Sequence, residues 1–255
     1  MTERITAEGS GGVLQVRINR PDKKNALTRD MYNGLSDALA TGNADRSVKV
    51  IVLTGTGDSF TSGNDIADFL SSEGESGEKP SLRFLRLLSD AEKPVVAAVN
   101  GMAVGIGVTL LLHCDLVYAA DTATFQLPFV NLGLVPEAGS SLLLPRLVGH
   151  QRASEVMLLG ERFTAAVALD LGFVNRVLPL GEFPGTVRDV ALSLASKPGR
   201  AVRMTKALLK GTRDELSRRI AEEGALFDKQ LGSPEAAEAM AAFRERRKPD
   251  FSAFA

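Results

Sequence analysis

Cysteine, histidine and long apolar runs are scarce in this sequence, and each scarcity excludes a class of protein. The 255 residues contain a single cysteine, Cys114, which excludes an internal disulfide framework and fits a reducing compartment. No run of about 18 apolar residues occurs, so no membrane-spanning helix is predicted. The two histidines, His113 and His150, are far apart in the sequence. A metal site needs clustered ligands, so none is predicted.

Neither sign of charge is in excess. Thirty basic and 31 acidic residues give a net charge of −1 at pH 7 and a pI near 6.2. This balance provides no global attraction for nucleic acid or for an anionic membrane surface, so neither partner is predicted. The first residues, MTERITAEGSGG, lack the charged-then-apolar order of a secretory signal, and the last, FSAFA, match no organelle address. We therefore expect a cytoplasmic protein.

Strand and helix patterns alternate over about the first 175 residues, within a chain that is 44% hydrophobic and can bury a large core. The predicted strands are Val13–Asn19, Val48–Thr54, Pro94–Val99 and Phe173–Leu178. The predicted helices include Arg29–Ala40 after the capping residue Thr28, Leu82–Leu88, and Ala165–Leu171 after Thr164. The pattern indicates an α/β fold.

The C-terminal part of the chain has mostly helical spacing. Pro198 suits the first turn of a helix that reaches about Gly211, and Ser233 opens a final helix through about Phe243. Between them an apolar stripe predicts one further helix, with Leu216, Ile220, Phe227 and Leu231 on one face. We therefore predict a core at residues 1–195 and a C-terminal helical region at residues 196–255.

The densest apolar sequence and the tightest glycine spacing lie between Val95 and Gly149. Gly105-Ile106-Gly107 has the first two glycines of a dinucleotide fingerprint and lacks the third, and no GxxxxGK[ST] phosphate loop is present. No GxSxG nucleophile elbow is present either. These glycines are better suited to letting the backbone pass close to other backbone or to a ligand. Asp115, at the end of an apolar helix pattern, is predicted to be a structural hydrogen-bonding residue.

Glu137 is a carboxylate in uncharged surroundings within this stretch. From the residues alone, two interpretations stay open. A glutamate after Pro136 is favoured in the first turn of a helix by the helix dipole. An apolar setting also raises the pKa of a carboxylate toward the range of a useful general base.

Four segments together resemble one known family. They are RPDKKNAL, FTSGNDI, KPVVAAVNGMAVGIGVTLLLHCDLVYAA and NLGLVPEAGSSLLLPRLVG. In this order they are similar to the crotonase (enoyl-CoA hydratase/isomerase) superfamily over most of residues 13–180. SGND with NLGLVPEAG is most similar to the peroxisomal-type Δ3,Δ2-enoyl-CoA isomerases. The resemblance implies a crotonase-like ββα spiral core followed by helices that form trimers, often paired into hexamers.

The resemblance also implies the site and its reaction. Two backbone N–H groups, those of Asn64 and Ile106, would hold the thioester oxygen of an acyl-CoA. Family hydratases place glutamates where this chain has Thr109 and Phe129, so efficient hydration is not expected. Glu137 stands where the isomerases place their single acid. It would move a proton from C2 to C4 of a 3-enoyl-CoA to give the 2-trans-enoyl-CoA.

Substrate contacts follow from the same resemblance. Coenzyme A, as part of the substrate and with no separate cofactor, would lie along Lys23, Lys24, Ala26, Asp65 and Ile66. For the two lysines an ordinary solvated role is an equal alternative, because lysines are usually exposed. The acyl pocket would include Phe69, Phe129 and Leu132.

Three other functions stay open at this point. A carboxylate at the position of Glu137 also serves isomerases that open or expand the ring of aryl-epoxide CoA thioesters. A weak enoyl-CoA hydratase is the second alternative. The third is a crotonase-fold protein that binds acyl-CoA without catalysis.

Overall fold

The structure is a computed structural model that describes residues 3–70 and 77–254, with the backbone only at residues 69 and 70. The strands are β1 Ile5–Ser10, β2 Val13–Ile18, β3 Val50–Gly55, β4 Ser59–Thr61, β5 Val95–Val99, β6 Met102–Val104, β7 Leu116–Ala120, β8 Thr124–Gln126, β9 Phe163–Thr164 and β10 Arg176–Leu178. The helices are α1 Arg29–Ala44, α2 Ile66–Leu70, α3 Pro80–Ser89, α4 Ile106–Thr109, α5 Ser140–Val148, α6 His150–Leu158, α7 Ala165–Asp170, α8 Phe183–Ala195, α9 Gly199–Lys210, α10 Asp214–Leu231 and α11 Pro234–Glu245. Short 3-10 helices lie at Pro21–Lys23, Leu110–His113, Val130–Leu132 and Ser252–Phe254.

The described chain forms two compact units, each made of two segments. Of the described residues, the first unit contains 3–70, 77–125 and 163–211, and the second contains 126–162 and 212–254. Helix α9 belongs to the first unit, whereas α10 and α11 belong to the second. The sequence predicts that a helical trimerisation region begins at residue 196, and this boundary stays a prediction.

A six-stranded sheet forms the centre of the first unit, with the order β1-β2-β3-β5-β7-β10. β1 and β2 are antiparallel, and the following neighbours are parallel. Both faces are covered, because all residues of β3 and β5 are buried. Val50 and Val52 face α8, whereas Ile51, one residue out of phase, faces Gly42 of α1. This double covering explains why the central strands are continuous apolar runs.

A second, smaller sheet has four strands in the order β4-β6-β8-β9. β4 and β6 are parallel, with Ser59 opposite Met102 and Thr61 opposite Ala103. β4 is not among the strands predicted from the sequence. Its central residue Phe60 is fully buried, and the flanking Ser59 and Thr61 are buried with it.

The second unit is helical. Helix α5 is followed by α6 with only Gly149 between them, and α10 and α11 pack beside α5 and the 3-10 helix at Val130–Leu132. Gly133 allows one close approach, because a Cβ there would lie 2.7 Å from the backbone nitrogen of Ala236. No helix among residues 3–70 and 77–254 is long and apolar enough to cross a membrane.

Local capping signals in the sequence are confirmed by the structure. Thr28 accepts a hydrogen bond from the N–H of Met31, Thr164 accepts one from Val167, and Ser233 accepts one from Ala236. Some boundaries differ from the prediction. α1 continues to Ala44, and the last strand of the large sheet begins at Arg176 rather than Phe173.

A buried lysine fixes α9 to the large sheet. The Nζ of Lys206 donates to Oδ2 of Asp115 at 2.6 Å and to the carbonyl of Lys93 at 2.7 Å. Oδ2 of Asp115 also accepts from the N–H of Val95 at 2.7 Å. The predicted structural role of Asp115 is therefore confirmed, and its partners join α9 to the start of β5.

Lys206→Met is expected to lower the free energy of unfolding by about 2–3 kcal/mol, because it leaves the half-buried Asp115 carboxylate without its cation. Chemical denaturation of the two proteins measures the change. The matched control is Arg83→Met, which removes an exposed ion pair with Asp37 and is expected to cost less than about 1 kcal/mol. Equal losses for the two variants would contradict a special role of Lys206.

Candidate functional site

Parallel pairing of β4 and β6 places the two glycine loops of the sequence motifs side by side. Gly63-Asn64 follows β4, and Gly105-Ile106 follows β6. Parallel neighbours end at the same edge of a sheet, so the loops after them emerge together. The structure thus brings together Asn64 and Ile106, which are 42 positions apart in the sequence.

The two loops touch through glycines. A Cβ on Gly63 would lie 3.0 Å from the carbonyl oxygen of Val104, and one on Gly107 would lie 2.9 Å from that of Thr61. Gly63 has a φ of +93° and Gly105 a φ of +56°, conformations that L side chains rarely adopt. Glycine is therefore required here for close approach and for the backbone turn before each amide.

The amides of Asn64 and Ile106 are available as hydrogen-bond donors. Within residues 3–70 and 77–254, neither N–H donates to a protein acceptor, although their neighbours do. The N–H of Asp65 donates to the carbonyl of Leu27, and that of Val108 donates to the carbonyl of Gly105. Ile106 opens α4, where the first N–H groups have no partner within the helix. The site thus offers two neighbouring backbone donors.

Side chains that the sequence did not single out hold the first of these loops. The hydroxyl of Tyr32, on α1, donates to Oδ1 of Asn64 at 2.5 Å. The hydroxyl of Thr61 donates to the carbonyl of Asn25 at 2.7 Å and accepts from the N–H of Gly63 at 3.1 Å. These contacts fix Gly63 and Asn64 from both sides.

Asn25 anchors the turn on which the coenzyme A contacts were predicted. Its side chain is fully buried, donates to the carbonyls of Thr56 and Ser59, and accepts from the N–H of Arg20. Its φ of +58° is one that asparagine tolerates better than most residues. Asn25 lies in the segment RPDKKNAL, which gave no sign of contacts 34 residues away.

The predicted coenzyme A contacts lie on neighbouring backbone. The N–H of Leu27 donates to Gly63, and that of Ser62 donates to Lys24, so Lys23, Lys24 and Ala26 lie beside the loop that leads to Asp65 and Ile66. Both lysines are exposed. Lys24 forms an exposed ion pair with Asp58 at 2.6 Å, which lowers the pKa of the Asp58 carboxyl.

The Asp65 side chain already has protein partners. Arg20 donates to its Oδ2 at 2.6 Å, and the N–H groups of Ala67 and Asp68 donate to its Oδ1. The hydrogen bond from Arg20 holds the pKa of the Asp65 carboxyl below its usual range. Asp65 therefore caps α2, and its side-chain oxygens are already engaged by protein donors.

Glu137 lies in the second unit, in the loop before α5. The interpretation of it as a residue in the first turn of a helix was wrong, because α5 begins only at Ser140. Ala138 and Gly139 separate it from the helix, with φ values of +62° and +71°. The carbonyl of Glu137 accepts from the N–H of Ser140 at 3.1 Å and from its hydroxyl at 2.5 Å. The Glu137 side chain is half-buried.

The two positions where the resemblance implies hydratase carboxylates carry buried, uncharged side chains in this chain. Thr109 is fully buried at the end of α4 in the first unit, and Phe129 is buried before the 3-10 helix of the second. Leu132, the other predicted acyl-pocket residue of that unit, is half-buried. The side chain of Phe69 lies outside the described residues.

Glu223 is a further residue of this region, and it was not predicted from the sequence. Its carboxylate is buried and accepts hydrogen bonds from Gly139, the last residue of the loop that holds Glu137, and from Ser141, in the first turn of α5. A signal was present in the sequence, because Glu223 lies three residues after Ile220 and four before Phe227, on the apolar face of α10. A carboxylate within such a stripe needs a buried partner.

Other groups that could react are not poised to do so. Burial and the adjacent Asp115 raise the pKa of the Cys114 thiol to about 12, so it is protonated at neutral pH and is a poor nucleophile. His113 is buried in the 3-10 helix before it. In the described part of the chain, no three His, Cys, Asp or Glu side chains are grouped as metal ligands.

Comparison with known sequences decides the family. The sequence model described as enoyl-CoA hydratase/isomerase matches residues 8–253. The chain belongs to this family.

Relatives within the family carry different activities. Enoyl-CoA delta isomerase 2 of Rattus norvegicus is 39% identical over 225 residues, which cover 86% of this chain and 57% of the relative. The chain thus spans little more than half the length of that relative. Crotonyl-CoA hydratase of Syntrophomonas wolfei is 36% identical over 254 residues, which cover 98% of both chains. The predicted likeness to enoyl-CoA isomerases is confirmed, and a hydratase is nearly as similar.

A solved structure confirms the predicted fold. An enoyl-CoA hydratase/isomerase from Pseudoalteromonas atlantica matches with a TM-score of 0.95 and 42% identity, over 98% of this chain and all of that one. The protein therefore has the crotonase fold, a ββα spiral with a helical C-terminal region.

Proposed function

We propose that this protein isomerises 3-enoyl-CoA to 2-trans-enoyl-CoA. The observation that carries the proposal is the distribution of carboxylates. Thr109 and Phe129 are buried and uncharged where family hydratases have glutamates, and Glu137 is a half-buried carboxylate where the isomerases have one. Hydration needs one group to activate water and another to protonate the α-carbon, whereas a 1,3-proton shift needs a single carboxylate.

The two backbone amides supply the electrostatic part of the proposed catalysis. Removal of a proton from C2 places negative charge on the thioester oxygen. The N–H groups of Asn64 and Ile106 donate to this oxygen and stabilise the dienolate more than the neutral substrate, since hydrogen bonds to a charged acceptor are stronger. Donors fixed before the reaction avoid reorganisation, and each contributes roughly 3 kcal/mol in favourable cases.

Glu137 then moves one proton in two steps. Its carboxylate takes the proton from C2, and the electrons of that C–H bond delocalise over the thioester and the C3–C4 double bond. The carboxylic acid returns the proton to C4, which leaves the double bond between C2 and C3 and restores the carboxylate. The atoms balance within the substrate, so the proposed reaction needs no redox cofactor and no metal ion.

For coenzyme A binding we propose two neighbouring backbone segments of the first unit, residues 23–26 and residues 65–66. Lys23 and Lys24 are exposed, with Lys24 paired to the exposed Asp58, and their amines are proposed to bind the phosphates of coenzyme A. The backbone at Ala26, Asp65 and Ile66 is proposed to contact the adenine part. Phe129 and Leu132 of the second unit are proposed to contact the acyl chain.

A homotrimer, or a hexamer of two trimers, is proposed for the assembly. Helix α9 supports this, because Met204, Leu208 and Leu209 are largely exposed on it within the described chain. Exposed apolar side chains grouped on one helix are typical of surfaces that pack against another protein.

Hydration is the second candidate, favoured by the full-length similarity to the Syntrophomonas wolfei hydratase. A substrate panel separates the candidates. We expect 3-enoyl-CoAs of several chain lengths to convert to 2-trans isomers at unchanged mass, measured by liquid chromatography with mass detection. Crotonyl-CoA is expected to gain water only slowly, and ring-1,2-epoxyphenylacetyl-CoA to remain unchanged. Rapid hydration of crotonyl-CoA with no isomerisation would overturn the proposal.

A further inference from the structure

A buried carboxylate of the second unit lies next to the Glu137 loop. Glu223, on α10, is only 5% exposed. Buried carboxylates are rare unless they are paired or hydrogen-bonded, because leaving water is costly for a charge. The partners of Glu223 therefore indicate what it does.

Those partners are the first groups of α5. Oε2 of Glu223 accepts from the N–H of Gly139 at 2.5 Å. Oε1 accepts from the N–H of Ser141 at 2.9 Å and from its hydroxyl at 2.5 Å. Helix α5 begins after Gly139, which has no side chain to cap it. Glu223 therefore provides the cap from a position more than 80 residues away.

The backbone that Glu223 holds is strained. Ala138 and Gly139 both have positive φ values, and a left-handed conformation is unfavourable for alanine. Helix α10 packs tightly against this point, because a Cβ on Gly139 would lie 2.5 Å from Cδ1 of Leu216. The carbonyl of Glu137 is in turn fixed by Ser140. Ser140 lies between Gly139 and Ser141, the two residues that Glu223 holds.

We propose that Glu223 is a positioning residue for Glu137. It does not touch substrate, and it acts by fixing the backbone that carries the reacting carboxyl. The inference rests on the proposed function, in which one carboxyl must reach both C2 and C4. Such a carboxyl tolerates little displacement, since a misplacement of about 1 Å costs roughly 10²-fold in rate.

The test is the variant Glu223→Gln, which keeps the shape of the side chain and one oxygen that accepts hydrogen bonds. The NH2 group that replaces the other oxygen donates hydrogen bonds and cannot accept one, so one of the two held residues loses its partner. We expect kcat for 3-enoyl-CoA isomerisation to fall roughly 10- to 100-fold, with KM close to the parent value. The matched control is Glu215→Gln on the same helix, which breaks an exposed ion pair with Arg146 of α5 and is expected to leave kcat unchanged.

The deuterium content per product molecule, measured in D₂O, separates a misplaced Glu137 carboxyl from partial unfolding of the protein. A loosely held Glu137 carboxylic acid exchanges its proton with solvent more often before returning it to C4. The deuterium content of the product, per product formed, is therefore expected to rise in Glu223→Gln, whatever the amount of folded enzyme. If that variant does not fold, Ser141→Ala removes one of the three hydrogen bonds and is expected to raise the same ratio less.

The outcomes distinguish the two proposals. Parent-like kcat and deuterium content in Glu223→Gln, together with an inactive Glu137→Gln, would overturn the positioning role and leave the isomerase function standing. Absence of isomerisation by the parent would overturn the function and, with it, the positioning role. Faster amide hydrogen exchange at Gly139 and Ser141 in Glu223→Gln than in Glu215→Gln supports the proposal that Glu223 fixes this backbone.

Discussion

Glu137→Gln is expected to lower kcat for isomerisation of 3-enoyl-CoA by about 10³-fold or more, with little change in KM. Glutamine has nearly the shape of glutamate, so substrate binding is preserved, but its amide cannot take a proton from C2. Initial rates for parent and variant, measured as 2-trans-enoyl-CoA formed at unchanged mass, test the expectation. Exchange of the C2 proton with D₂O should be lost in parallel, because it requires the same proton removal.

The control for this variant is Glu155→Gln, an exposed glutamate on α6 in the same unit. It changes the charge of the protein equally and is expected to keep the parent rate. Isomerisation by Glu137→Gln at the parent rate would show that another group moves the proton. Loss of isomerisation with retained hydration of crotonyl-CoA would instead assign the two reactions to different groups.

Gly63→Ala is expected to lower kcat roughly 10²-fold, because it disturbs one of the two backbone donors. The φ of +93° is unfavourable for alanine, and the new methyl group would lie 3.0 Å from the carbonyl oxygen of Val104. The loop has to shift to relieve both, and the N–H of Asn64 moves with it. Steady-state kinetics, with circular dichroism to confirm folding, measures the effect.

Gly172→Ala serves as the control for backbone strain alone. Gly172 lies in the same unit with a φ of +74°, and a Cβ there would meet nothing within 4 Å. It is expected to lose some stability and to keep the parent kcat. If the two alanine variants had the same kcat, the amide after Gly63 would have no special role in the reaction.

The features that could be predicted from the sequence depend on near neighbours in the chain. Thr28, Thr164 and Ser233 cap the helices that follow them, and each contact spans three residues. The strands β3 and β5 were predicted correctly from their apolar runs, because a parallel sheet covered on both faces needs apolar side chains on both. The glycine loops were recognised because their spacing follows a family motif.

Other features depend on contacts between distant segments and left little trace. β4 has three residues, and its burial comes from pairing with β6. Asn25 and Tyr32 act through side-chain hydrogen bonds to positions more than 30 residues away. Glu137 was placed near a helix start, but the left-handed turn at Ala138 could not be foreseen from an alanine. Glu223 gave a signal only as a charge on an apolar stripe.

The interleaving of the two units has a consequence for how the chain is synthesised. Residues 126–162 leave the ribosome before residues 163–211, which complete the first unit, and only afterwards do residues 212–254 appear. At ordinary synthesis rates the segment with Glu137 waits several seconds for α10. During that interval the Gly139 amide has no Glu223 to bind. The proposed proton-transfer loop is therefore among the last parts of the nascent chain to acquire its final structure.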